Sequence, residues 1–129
     1  MAKKLQLSTQ FKNLIFGDYS ANTVLWSGDS TATAVNTSSS IAFEYGLRPQ
    51  FYKMCIAHFN IDGTRVAVPF VAGEYAVSKT FCGYWGLDNS KYVYLTLTYG
   101  GYGSLSWQVK QIAGKTIDQV HLVEIIGIK

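Results

Sequence analysis

Charge is scarce in this sequence. Asp, Glu, Lys and Arg together supply 15% of its 129 residues, while 48% are apolar. A disordered chain needs the opposite balance, so a packed core is expected, and the length suits one domain rather than two. The net charge of +3 is spread along the chain, with no basic run longer than Lys3-Lys4. That excludes the clustered footprint of a nucleic-acid binder. Long apolar runs are missing too. Nothing approaches the roughly 20 apolar residues of a membrane-spanning helix, so no membrane insertion is expected. Met1-Ala2-Lys3-Lys4 leads into the mixed stretch Leu5-Gln6-Leu7-Ser8-Thr9-Gln10. No signal peptide is read there, and synthesis in the cytoplasm is expected.

Reactive side chains are equally few. Cys55 and Cys82 have no metal-ligand spacing, and each falls in a strand-like segment where a buried, reduced thiol is the expectation. The two histidines, His58 and His121, also fall inside strand-like runs and read as sheet residues, not bases. No G-x-S-x-G elbow and no H-E-x-x-H pair occurs. Asp62-Gly63 lacks the repeated acids of a calcium loop. Glycoside hydrolysis needs two convergent carboxylates. The eight acids are scattered, and Asp29, Asp62 and Asp88 occupy turn positions where Asp serves the backbone. The expectation is therefore a non-enzyme with no metal and no cofactor.

What the sequence does have is short β runs punctuated by turn residues. The clearest runs are residues 51–61, 65–72, 75–82, 92–99, 104–112 and 120–126; weaker ones are 4–8, 13–16, 23–27 and 40–45. Asp62-Gly63 between two runs is a hairpin signal. The Ser/Thr/Ala/Asn-rich stretch 27–40 reads as a loop or weak edge. No helical stripe with caps is present. About ten short strands in one domain predict an all-β fold, a two-sheet antiparallel β-sandwich of jelly-roll-like character, with a barrel as the alternative.

Alternation assigns faces. Val93, Leu95 and Leu97 fall on one side of their strand and Tyr92, Tyr94, Thr96 and Thr98 on the other, so the aliphatic set faces the core. Leu105, Trp107, Val109 and Gln111 share a face by the same rule. The last run is apolar on both: Val120, Leu122, Ile126 and Ile128 on one face, Val123 and Ile125 on the other. Such a strand is central in the fold or covered by another subunit. Val123, Ile125, Ile126 and Ile128 are thus the expected subunit interface.

Aromatics are abundant, with nine tyrosines and three tryptophans, more than one small core requires. Two glycine-punctuated stretches carry several of them: Cys82-Gly83-Tyr84-Trp85-Gly86-Leu87-Asp88-Asn89 and Tyr99-Gly100-Gly101-Tyr102-Gly103. Rings beside bare glycine are easily exposed and can stack on sugar rings, while carboxylate and amide groups meet hydroxyls. Tyr84, Trp85, Asp88, Asn89, Tyr99 and Tyr102 are accordingly the expected ligand-binding residues. Capping the end of the core is the competing role for the same rings.

Three segments taken together resemble a known family. Val24-Leu25-Trp26-Ser27-Gly28 opens the pattern, Asp62-Gly63 followed by Val68-Pro69 lies in its middle, and Val120-His121-Leu122-Val123-Glu124-Ile125-Ile126-Gly127-Ile128-Lys129 closes it. This arrangement resembles the C-terminal domains of bacteriophage tail-fibre and related virion fibre proteins, over residues 23–129. The resemblance implies a β-sandwich, usually a homotrimer, that sits in the virion beside other virion proteins and contacts host surface polysaccharide. The terminal strand would pack near the threefold axis. Residues 1–22 are expected to add one or two strands or to attach the domain to the virion. A structural decoration or assembly protein without a receptor, and a cellular lectin-like carbohydrate-binding module, are the alternatives.

Overall fold

The computed structural model describes residues 22–72, 90–100 and 103–129 in full and 77–84 at the level of the backbone. Two four-stranded antiparallel sheets pack face to face, and no helix longer than a single 3-10 turn occurs among the described residues. The all-β two-sheet sandwich expected from the strand runs is the observed fold. The runs expected at residues 4–8 and 13–16 lie outside the described residues.

The first sheet contains β1 (Asn22–Thr31), β8 (Val120–Ile128), β3 (Met54–Ile61) and β4 (Thr64–Phe70), in that spatial order. The second contains β2 (Ser39–Ala42), β7 (Ser104–Ala113), β6 (Tyr92–Tyr99) and β5 (Val77–Tyr84). β1 pairs with β8 and β2 with β7, the nesting that gives the fold its jelly-roll character. β3–β4 and β5–β6–β7 are simple hairpins instead. Asp62 and Gly63 close the first of these with φ of 51° and 83°. Positive φ at both central residues is the type I′ geometry that Asp-Gly favours.

Period-two burial makes the core. Val93, Leu95 and Leu97 point inward from β6 and meet Leu105, Trp107 and Val109 of β7 and the inner face of β3. Phe59 and Trp107 join the sheets through an edge-to-face contact, with centroids 5.2 Å apart at 74°. Trp107 Nε1–H donates to Ser30 Oγ at 3.0 Å, so the indole is buried with its donor met. Cys55 is a free thiol with no solvent exposure, and burial pushes it up to about 12.

Strict alternation fails at β-bulges on β8 and β7. On β8, His58 faces Glu124 and Phe59 faces Leu122, leaving Val123 as the extra residue. The phase shifts there, so Val120 and Leu122 point inward before it and Ile125 after it, while Ile126 and Ile128 turn outward. β8 is a central strand, hydrogen-bonded to β1 and β3 along its two edges. On β7, Tyr94 faces Gln111 and Leu95 faces Val109, leaving Lys110 extra. Gln111 is therefore exposed and does not share the inner face of Leu105, Trp107 and Val109. Bulges also extend β1 through Thr31, so the expected loop 27–40 shrinks to residues 32–38.

Trp107 is the largest fully buried side chain among the described residues. Trp107→Ala is expected to lower the unfolding free energy by about 3–5 kcal/mol in urea denaturation. A loss below about 1 kcal/mol would show that the two sheets do not meet through this ring.

Candidate ligand-binding surface

Hairpin connectivity separates the two glycine-punctuated stretches. Tyr84 pairs with Tyr92 at one end of the second sheet, and Tyr99 pairs with Leu105 at the other. An eight-residue strand lies between, about 23 Å at roughly 3.3 Å per residue. Their described members Tyr84 and Tyr99 therefore stand at opposite ends of the second sheet. Trp85, Asp88, Asn89 and Tyr102 lie outside the described residues, and Tyr84 is described only as the last residue of β5.

Tyr99 is a core residue rather than an exposed ring. Its side chain is 1% exposed, packs edge to face on Phe43 at 5.9 Å and donates its hydroxyl proton to Gln50 Oε1. Burial raises its phenol above the ordinary value. The physical reason is parity: Tyr99 stands an even number of residues from Val93, Leu95 and Leu97 and shares their inward direction. Of the expected interface residues, Ile125 is fully buried in its own chain's core, sealed by the opposite sheet, and cannot meet another subunit. Val123, Ile126 and Ile128 are half-buried.

The outer side of the first sheet divides into two halves. Toward the chain termini, Val24, Ile126, Ile56 and Pro69 form one cross-strand row, with Ile128 and Met54 beside it. Toward the Asp62-Gly63 turn the rows are polar. His58 Nδ1 accepts from Arg65 Nε at 3.1 Å, and Arg65 pairs with Glu124 at 3.0 Å. Burial first, and then the Arg65 charge, lower His58 below the ordinary histidine value. A polar pocket of about 270 Å³ follows, lined by Asn60, Asp62, Gly63, Asp118, Gln119 and His121. Lys115 and Gln119 hold Asp62 from the β7–β8 connection. Both histidines thus serve sheet-surface networks. No group of three or more His, Cys, Asp or Glu side chains is arranged to hold a metal ion among the described residues.

The second sheet carries an open groove of about 550 Å³ on its outer side, lined by Tyr94, Thr96, Lys110 and Gln111. The Lys110 bulge creates it, since the extra residue brings two consecutive polar side chains alongside the outward Tyr94 ring.

Among the described residues, the most exposed rings are elsewhere, on the β2–β3 connection at the Tyr99/Leu105 end. Two 3-10 turns, Tyr45–Leu47 and Pro49–Phe51, flank Arg48. In a 3-10 turn side chains three apart eclipse, and the extended backbone of Arg48 (φ −79°, ψ 142°) also repeats every three residues. Tyr45, Arg48 and Phe51 come together on this connection. Tyr45 is 74% and Phe51 52% exposed, their rings 6.2 Å apart at 61°, and the Arg48 guanidinium carbon lies 4.7 Å from the Tyr45 centroid. The group is anchored to the core. Phe43 N donates to Gly103 O at 2.7 Å, Cys55 lies under Pro49, and Tyr99 reaches Gln50. The sequence expectation puts Phe51 at the head of one strand run and Tyr45 at the end of another, 40–45, and neither ring among the ligand-binding residues. The available signal was the Tyr-x-x-Arg-Pro-x-Phe spacing with Pro49 as the turn starter.

Comparison with known proteins finds no matching family model, no similar curated protein and no similar solved structure.

The edge of the polar pocket carries a titration test. His121 Nδ1 lies 2.8 Å from Asp29 Oδ1, and Thr31 Oγ1 donates to the same oxygen at 3.0 Å. These contacts, His121 first, hold the Asp29 carboxyl below the ordinary aspartate value. A depressed folded pKa adds stability above the unfolded pKa and loses it as pH falls through the folded one. Solvent screening keeps that contribution small. In an NMR titration Asp29 is expected to have a midpoint below that of unfolded aspartate, rising toward it in His121→Ala. A midpoint that ignores the replacement would show that the imidazole does not hold the carboxylate.

Proposed function

We propose that this chain is a recognition module of a bacteriophage virion, a fibre or tail component that binds host surface polysaccharide as part of a homo-oligomer, with a trimer the expected form. The observation that supports this reading best is the Tyr45–Phe51 pair. Two large rings, each more than half exposed, stand side by side on a short connection tied to the core. Leaving such rings in water has a free-energy cost, and an isolated exposed ring would need no explanation, but an anchored pair forms a platform. Sugar rings present C–H faces that stack on aromatic faces, and a platform fixed before binding avoids the ordering cost of a flexible loop. The Tyr94 groove on the second sheet, with Thr96, Lys110 and Gln111 around one ring, offers a second surface of the same chemistry.

The apolar rows outside the first sheet support the oligomer. Val24 and Val71 are at least half exposed, and Ile56, Ile126 and Ile128 are only half-buried beside them. They equally favour a second reading, an assembly or decoration module that uses this face within the particle and has no receptor.

Purified protein applied to host cells and to an array of bacterial surface polysaccharides separates the two. Recognition predicts binding that Tyr45→Ala or Phe51→Ala weakens about tenfold or more, the loss typical of a central aromatic contact. Circular dichroism should remain that of the wild type, since both rings lie outside the core. Protein that ignores cells and glycans while rebinding particles that lack it would replace the recognition reading with the assembly one.

A further inference from the structure

We infer that the sugar held at the Tyr45–Phe51 platform carries an anionic substituent, a carboxylate or a phosphate, and that Arg48 is the residue that selects it. The inference rests on the proposed recognition function and goes further by naming the ligand class.

Arg48 lies between Tyr45 and Phe51 along the chain, and its guanidinium has a neighbour on each of two sides. Its guanidinium lies over the Tyr45 ring at 4.7 Å. On the other side it leans on Gly103, where an added Cβ would come within 3.0 Å of Nε and 3.1 Å of Nη2. Gly103 has φ of 88° as well, so both the turn and the close approach require glycine there. The charge is held by a ring and a bare backbone, not by a carboxylate. The ion pairs among the described residues are Arg65–Glu124, Lys115–Asp62 and His121–Asp29, and none includes Arg48. Glu44, the nearest acid along the chain, is exposed and forms no ion pair with it. Arg48 Nε is enclosed and has no hydrogen-bond partner among the described residues.

The enclosed Nε faces the Gly103 backbone, out of a ligand's reach, so an incoming anion would pair with the remaining donors of this partly desolvated guanidinium. Guanidinium suits this role because its planar fork matches a carboxylate or phosphate while its face stays stacked on the ring. A sugar stacked on Tyr45 or Phe51 would place a substituent on its rim beside that fork. Ring face and charge then act together, and neither a neutral sugar nor a free anion satisfies both. The net charge of +3 favours encounter with an acidic polymer.

The test is an array in which each acidic bacterial polysaccharide is paired with its carboxyl-reduced or dephosphorylated counterpart. Wild-type protein is expected to bind the charged member of at least one pair about tenfold more tightly than the neutral one. The margin should shrink as salt rises, because the contact is partly exposed. Pairs that differ in uronate tell apart a carboxylate ligand from pairs that differ in phosphate. Arg48→Gln is expected to equalise the two members of a pair, and Arg48→Lys to retain part of the difference, having charge but no fork. Tyr45→Ala should weaken both members together. Equal binding of charged and neutral members by the wild type would overturn the role of Arg48 and leave glycan recognition standing. No binding to any member would remove the recognition reading itself. The wild-type comparison needs no variant, so a poorly folded Arg48→Gln protein does not blunt it.

Discussion

The whole sandwich depends on where β8 sits. It is the last strand of the chain, yet it lies inside the first sheet with β1 on one edge and β3 on the other. A strand in that position has its backbone hydrogen bonds satisfied on both sides, so the first sheet closes only when β8 comes back between two strands that precede it in the sequence. Its inner residues, Val120, Leu122 and Ile125, are fully buried against the opposite sheet. Its last turn packs as tightly: Gly127 carries the Tyr52 ring where a Cβ would come within 2.6 Å. The nested pairs β1–β8 and β2–β7 are long-range contacts that local hairpins cannot replace, and such pairings are slow to form and late to be rewarded.

Much of this was readable from residue types, because burial in a sheet follows parity. Leu95 and Trp107 identified themselves as core by alternation, Asp62-Gly63 identified its hairpin by φ preference, and the absence of any capped helical stripe excluded helices. What escaped has a common cause. A bulge adds one residue without changing composition, so nothing in Val123 or Lys110 announces that parity reverses there. Ile125 consequently looked available for a subunit contact and is core, and Gln111 looked inward and is exposed. Tyr99 was legible in principle, since its parity matches Val93, Leu95 and Leu97. Proximity to Gly100-Gly101 outweighed that evidence in the reading of the loop, and the packing shows which signal was the stronger.

The candidate site was less legible than the fold, and the reason is geometric. Composition points to rings beside glycines, but it carries no information about which end of a sheet a loop occupies. A hairpin of eight-residue strands puts Tyr84 and Tyr99 at opposite ends of its sheet. Cooperation requires residues from connections that share an end. Gly103, from the β6–β7 connection, meets Arg48 and Phe43 from the β2–β3 connection. That juxtaposition crosses about 55 residues of sequence, and only the topology reveals it.

The group Tyr45, Arg48, Phe51 shows why an irregular connection can be a better platform than a strand. On a strand, residues spaced by two share a face, and the opposite face must be buried, so exposed rings compete with the core for register. Two 3-10 turns around an extended arginine repeat every three residues and have no second face to satisfy. Pro49 fixes the second turn, and its buried ring and carbonyl lie against Cys55 in the core. The same short segment therefore anchors itself with one residue in three and presents another. A surface of this kind keeps its geometry without a partner, and the unpaired Arg48 within it is the feature that sequence periodicity alone would class as an ordinary solvated cation.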